Sequence, residues 1–130
     1  MGAPTDPVLP DADPDGEHPI ATAWRPLFAH VVDALVRRDP TALDGLPWLS
    51  PVSPATWEQM VEYVDDYGET LVALDERTWE TSVAQWMGDH WEVLVDLVTA
   101  ESGRSDMVLH AMVRDDDAGI AIETCCVHVP

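Results

Sequence analysis

The sequence predicts a single α+β domain in two layers, with two N-terminal helices packed on a small antiparallel β-meander of about four strands. Three observations lead to this prediction. The 130 residues suffice for one domain of ordinary size. Apolar residues recur at helical spacing in the first half of the chain and at strand spacing in the second half. Helices followed by consecutive strands are typical of an α+β fold.

Residues 1–22 are predicted to be a disordered, acidic, proline-rich tail, and residues 23–130 to form the folded domain. The first 22 residues contain five prolines and few large apolar side chains. Burial of so little apolar surface does not offset the entropy lost on ordering. An uncommitted extension and a segment that recruits another protein are both compatible with this composition.

Two helices are predicted before residue 69. The first begins near Pro26, because proline is tolerated in the first turn, and its last turn is basic, which suits the helix dipole. The second begins at Ser53-Pro54, a capping serine before a proline, and ends at Gly68. Trp48 lies between them in a proline-flanked connection and is the tryptophan best placed for an exposed contact.

Strands are predicted in the second half of the chain. Trp91 to Thr99 alternates at period two and is expected to be the central strand. Thr78 to Met87 is ambiguous, but its β-branched and aromatic residues favour a strand. Residues 71–74, 107–114 and 120–129 complete the predicted sheet.

The strong acidity of the chain limits the classes of function. The 25 acidic residues outnumber the six basic residues, all of them arginine, and the formal net charge is -19 at pH 7. This charge disfavours binding to a nucleic-acid backbone. Capture of a basic protein, adaptation to high salt and compositional bias remain as explanations. The absence of lysine favours bias, since a binding surface alone would not exclude lysine throughout the chain.

The cysteines and the hydropathy pattern indicate a soluble cytoplasmic protein. Cys125 and Cys126 are adjacent in a predicted strand, so their side chains should point to opposite faces and form no disulfide with each other. Free cysteines fit a reducing compartment. No signal peptide is recognisable, and no apolar segment approaches the roughly 18 residues of a membrane span. We therefore expect no membrane association.

The turn that follows residue 99 contains the candidate binding residues Glu101, Arg104 and Asp106. A turn of this composition can hold a guanidinium between two carboxylates. An arginine held in this way is pre-organised for a planar anion or for a carboxylate of a partner. Alternatively, Arg104 braces its own turn. These three residues and Trp48 are those we expect to bind a ligand or a partner.

No cofactor, metal ion or catalytic residue is predicted. His110, Cys126 and His128 could share one face of the sheet, with Thr124 opposite His110 across the last hairpin. However, the usual ligand spacings of zinc sites do not occur in the sequence. Half-buried polar strand residues are therefore the preferred interpretation. The available serines and cysteines do not lie in a recognised nucleophile motif.

The segment Trp91 to Asp106, WEVLVDLVTAESGRSD, resembles the signature of a family of small bacterial domains of unknown function. In that family a tryptophan-led strand runs through Val-Asp-Leu, Thr and Glu into a Gly-Arg-Ser-Asp turn and a hairpin. The preceding helices are also similar, so the resemblance spans roughly residues 24–130. It implies an α+β fold with a small antiparallel sheet, and it implies no established activity, cofactor or catalytic residue.

We expect a non-catalytic protein-binding or regulatory module, for example an immunity protein that captures a basic toxin, because the domain is small, acidic and lacks a catalytic motif. The alternative is a small enzyme or ligand-binding domain with an anion pocket anchored by Arg104. Both faces of the predicted strands carry apolar residues, whereas helices cover one face. A homodimer through the sheet is therefore also expected.

Overall fold

The computed structural model describes residues 17–130. Residues 1–16 of the predicted tail lie outside the described residues. The described domain begins several residues before the predicted boundary at residue 23. His18 and Ala84 exchange two backbone hydrogen bonds of 2.8 and 2.7 Å, and Ile20 and Ala21 are buried. This bridge and this burial hold the segment against the domain, although the predicted tail that contains it is rich in proline.

The first helix, α1, comprises Arg25–Arg37, as the sequence predicts, and follows a short 3-10 turn at Thr22–Trp24. Arg38 ends it in the left-handed conformation, with φ 54°. A second 3-10 turn, Pro40–Leu43, follows directly.

The second helix, α2, comprises Pro54–Tyr67, and its predicted caps are confirmed. Ser53 Oγ accepts a hydrogen bond from the backbone N–H of Thr56 at 3.1 Å. Gly68 ends the helix at φ 86°, a conformation that favours glycine. Met60 and Val64 are buried on the inner face of α2.

Within residues 17–130 the sheet has five strands instead of the predicted four or so, and all its strand pairs are antiparallel. The strands are β1 (Leu71–Val72), β2 (Val83–Trp86), β3 (Trp91–Thr99), β4 (Gly103–Asp116) and β5 (Gly119–His128). Strands β3, β4 and β5 form the predicted meander. Strands β1 and β2 both pair with the other edge of β3, one near each end.

The prediction of one strand over Thr78 to Met87 is wrong in its first half, where Thr78–Thr81 forms a short helix, α3. Ser82 explains the change of conformation. Its Oγ donates to the carbonyl oxygen of Thr78 at 2.7 Å and accepts from the backbone N–H of Asp96 at 2.9 Å. The mixed periodicity of this segment therefore reflects two short elements that Ser82 ties to β3.

The core lies between the two long helices and one face of the sheet. Alternate residues of the central strands, such as Val93, Leu109 and Ile122, are completely buried there against helix residues such as Phe28. The intervening residues form the opposite, outer face of the sheet, which is half-buried. Within residues 17–130, no helix combines the length and the apolar character needed to cross a membrane.

Candidate functional site

The turn between β3 and β4 does not bring Arg104 between two carboxylates. The carboxylate of Glu101 accepts hydrogen bonds from the backbone N–H of Thr70 at 2.8 Å and from its hydroxyl at 3.0 Å. These bonds hold the pKa of Glu101 below its usual value. Asp106 is exposed, and its backbone N–H donates to Tyr67 Oη at 3.3 Å. Glu101, and not Arg104, thus braces the turn.

Arg104 is exposed and lines a cavity of about 390 Å³ together with Arg77, Thr81 and Ser102. Neither guanidinium forms an ion pair or a hydrogen bond with any residue of the described part of the chain. Asp75 and Glu80 also line the cavity, so its wall carries both signs of charge. The site therefore offers two unpaired guanidinium groups to a ligand, whereas the hydroxyls of Thr81 and Ser102 already donate to Asp96 and Glu69.

Trp48, the remaining predicted site residue, is half-buried. Its ring meets the ring of His30 edge to face, with centroids 6.1 Å apart. Its carbonyl oxygen accepts a 2.8 Å hydrogen bond from the backbone N–H of Ile122 in β5. Trp48 therefore belongs to a segment that covers the edge of the sheet, and only part of its ring is free to contact another molecule.

The outer surface of α2 carries three exposed carboxylates at intervals of four residues, Glu58, Glu62 and Asp66, which we call the acidic face. Like charges at this spacing repel one another along a helix. The three carboxylates form no ion pair within residues 17–130, whereas the neighbouring Asp65 binds Arg38 at 2.6 Å. The half-buried Tyr63 lies in the same shallow depression. The acidic face thus presents negative charge beside an aromatic ring.

A chain of hydrogen bonds links Asp89 and His90, in the turn before β3, to Glu92 and His110 on the outer face of the sheet. His90 Nδ1 lies 2.5 Å from Asp89 Oδ1, and His90 Nε2 lies 2.7 Å from Glu92 Oε2. The other oxygen of Glu92 is 2.5 Å from His110 Nε2. Because ionised carboxylates only accept hydrogen bonds, His90 fits this position as an imidazolium.

The electrostatics of this chain agree with its hydrogen bonds. The hydrogen bond to Asp89 raises the pKa of His90, outweighing its partial burial, and Glu92 adds to the effect. Burial alone would raise the pKa of Glu92, but the hydrogen bonds from His110 and His90 lower it overall. The sequence analysis singled out neither His90 nor Glu92 as a site residue. Their separation by two positions at the start of β3 was the available signal that their side chains lie on one side.

His110, Cys126 and His128 are brought together on the same outer face. One ligand atom from each lies within 4.8 Å of the others, and the two imidazole centroids are 5.7 Å apart. The prediction that Thr124 faces His110 is wrong, because Cys126 pairs directly with His110 and Thr124 pairs with Ala111. The hairpin is centred between Asp117 and Ala118, which accounts for one residue of this difference, and an irregularity in the pairing of β5 beyond Thr124 accounts for the other.

Both cysteines are free and half-buried. Burial raises the pKa of the Cys125 thiol, and the charges of Glu92 and Glu123 raise it further. Burial also raises the pKa of Cys126. Neither thiol therefore has the lowered pKa of an activated nucleophile, which agrees with the absence of a nucleophile motif around them.

The chain belongs to the family described as domain of unknown function (DUF7668), whose model matches residues 32–130. The match covers both long helices, apart from the first turns of α1, and the whole sheet. It confirms the expectation of a family of unknown function. The searches of curated proteins and of solved structures found no match.

Proposed function

We propose that this member of the family is a non-catalytic protein-binding module that captures a basic partner through the acidic face of α2. The observation that carries the proposal is the unpaired state of Glu58, Glu62 and Asp66 within the described residues. Mutual repulsion at four-residue spacing costs an isolated helix a few tenths of a kcal/mol, roughly, for each pair. A basic partner would relieve this repulsion and gain charge-assisted hydrogen bonds.

The surroundings of the acidic face favour a partner rich in arginine. Tyr63 is half-buried beside the carboxylates, and Tyr67 lies one turn further along α2. Aromatic faces attract guanidinium groups, and carboxylates bind them in a planar, two-pronged geometry. An immunity-like role, in which the domain neutralises a basic toxin, is one function of this class.

The test compares two variants that lose the same amount of charge. In E58Q/E62Q/D66N the acidic face is neutralised. In D44N/E76Q/D117N three exposed acids elsewhere on the domain are neutralised. The probe is a fluorescent octa-arginine peptide, and its binding is followed by anisotropy over a series of salt concentrations. We expect the first variant to lose at least fivefold more affinity than the second at each salt concentration.

Equal losses in the two variants would show that binding follows net charge, and this would refute the acidic face as the binding site. The salt series provides an independent check, because electrostatic capture weakens as ions screen the charges. A pull-down from host lysate at low and at physiological salt then uses the unsubstituted protein and the two variants as baits. It tests whether a natural partner also binds the first variant more weakly than the second.

The cavity lined by Arg77 and Arg104 favours a second candidate function, the binding of a small anion. Within residues 17–130, two guanidinium groups without an ion pair line one cavity, although the chain has only six basic residues against 25 acidic ones. Inorganic phosphate is a suitable probe, observed through the arginine side-chain resonances in NMR spectra. R104Q should abolish the phosphate-induced shifts and R114Q, the exposed control, should preserve them. Shifts that persist in R104Q would exclude this site.

A further inference from the structure

Strand β5 contains one extra residue opposite β4. Ala111 pairs with Thr124, but the residue before it, His110, pairs with Cys126. Cys125 is therefore left without a pairing residue in β4. This is a β-bulge, which shifts the alternation of side chains by one position. With regular pairing, Cys126 and His128 would point into the core. The bulge turns both toward the outer face, where His110 lies.

The same bulge leaves the core intact. Val127, between the two turned residues, is completely buried and pairs with Leu109, which is also completely buried. The fold therefore accommodates two polar residues on one face of an edge strand without losing the apolar residue between them. Bulges that redirect side chains are common beside functional sites.

The three side chains form a donor set that suits zinc. Two imidazoles and one thiolate are borderline to soft ligands, and they resemble the sites with three protein ligands that leave a fourth position for water or substrate. In a tetrahedral zinc site with bonds of about 2.0–2.3 Å, the donor atoms lie about 3.3–3.7 Å apart. The donors here are within 4.8 Å. Small rotations of the half-buried Cys126 and His128 side chains close the difference while His110 keeps its hydrogen bond to Glu92.

Glu92 supplies the outer support that zinc-binding histidines normally have. Its Oε1 lies 2.5 Å from His110 Nε2, which leaves Nδ1 as the ring nitrogen available to a metal ion. A carboxylate in this position fixes the ring and increases the basicity of the ligand. Glu92 is itself held by His90 at 2.7 Å. Glu92 thus fixes the orientation of the His110 imidazole through the ring nitrogen that does not bind the metal ion.

Helix α2 holds the strand that carries the other two ligands. The side-chain amide of Gln59 donates to the carbonyl oxygen of Val127 at 2.8 Å and accepts from its N–H at 3.1 Å. Tyr63 Oη accepts from the backbone N–H of Val129 at 3.0 Å. The end of β5 is therefore fixed on both sides of His128, which limits the entropy lost when a metal ion binds.

We propose that His110, Cys126 and His128 bind a Zn²⁺ ion on the outer face of the sheet, with Glu92 positioning His110. The proposal is independent of the acidic face and of the arginine-lined cavity. It assigns the ion three protein ligands and one exchangeable position. Binding requires the thiol of Cys126 to release its proton, because the thiolate is the ligand.

The test uses the full chain, reduced and freed of metal with a chelator. Zinc chloride is titrated calorimetrically in excess Mg²⁺, which occupies scattered surface carboxylates. Cobalt(II) then serves as a spectroscopic probe, because a thiolate ligand produces a charge-transfer band that carboxylates and imidazoles do not. We expect one equivalent of zinc to bind and the cobalt complex to show this band.

The neighbouring cysteine provides the matched control. We expect C126S to abolish the band and to weaken zinc binding at least tenfold, whereas C125S should preserve both. E92Q should keep the stoichiometry and the band but weaken binding about 10- to 100-fold. If C126S does not fold, as judged by circular dichroism, H128N near the end of the chain carries the same expected loss of zinc affinity. Zinc binding without a cobalt charge-transfer band, or equal effects of C125S and C126S, would overturn the proposal.

Discussion

Replacement of Gln59 by alanine tests how the edge of the sheet is held. The backbone of Val127 in β5 turns its N–H and C=O away from β4, and the Gln59 amide occupies the position that a further strand would take. Each of these two hydrogen bonds contributes about 0.5–1.5 kcal/mol to stability. Both hydrogen bonds are partly exposed, so water replaces them in part in the Gln59→Ala variant. We therefore expect the free energy of unfolding to fall by about 1–2 kcal/mol.

Urea unfolding followed by circular dichroism measures this loss, which corresponds to a decrease of about 4–10 °C in the melting temperature for a domain of this size. Glu58→Ala is the control, because Glu58 is adjacent, exposed and without a partner among the described residues, and it should change stability by less than about 0.5 kcal/mol. Hydrogen exchange of the Val127 amide should accelerate in the Gln59 variant. Equal stability of the two variants, or unchanged exchange at Val127, would refute the reasoning.

Three further substitutions test the core, a helix end and the outer face. Phe28→Ala removes a completely buried ring and should cost about 3–5 kcal/mol in urea unfolding. Gly68→Ala should lower the free energy of unfolding by about 1–2 kcal/mol, because alanine is strained at a φ of 86°. An added Cβ would meet no neighbouring atom, so backbone strain is the only contribution. His90→Gln should remove a stabilisation that exists below pH 6.5 and disappears as the pH rises through the raised pKa of folded His90. Unfolding at pH 5.5 and 9 in metal-free buffer should therefore show a larger difference from the unsubstituted protein at the lower pH.

Local chemistry made the helices and the central strand predictable. Ser53 and Gly68 act within one turn of the residues they cap, and the alternation of Trp91–Thr99 needs no knowledge of distant partners. The α+β class followed from the order of these patterns along the chain. Strand β1 is shorter than the predicted 71–74, because only Leu71 and Val72 pair with Thr99 and Val98 of β3.

The arrangement around the candidate sites depends on partners far apart in the sequence. Glu101 was expected to bind Arg104 nearby, but it binds Thr70, 31 residues away. The carboxylate thereby gains a backbone N–H in fixed geometry, which a flexible arginine in the same turn does not offer. His110 and Cys126 could be placed near each other from hairpin geometry, whereas the bulge at Cys125 could not. In a sequence, a bulge shows itself as a break in the alternation of polar and apolar residues. Here the break falls on two adjacent cysteines, which are neither clearly polar nor clearly apolar, so it cannot be recognised.

Helix α2 combines three roles, and the substitutions that test them lie at different positions, so the proposed experiments do not interfere with one another. Met60 and Val64 face the core, Gln59 and Tyr63 hold the end of β5, and the acidic face points outward. Neutralising the acidic face keeps every hydrogen bond to β5, so it should leave Val127 exchange and zinc binding unchanged. Gln59→Ala keeps the three carboxylates, so it should leave peptide binding unchanged while loosening the strand that carries Cys126 and His128. A variant that altered peptide and zinc binding together would therefore report general unfolding and not the loss of either site.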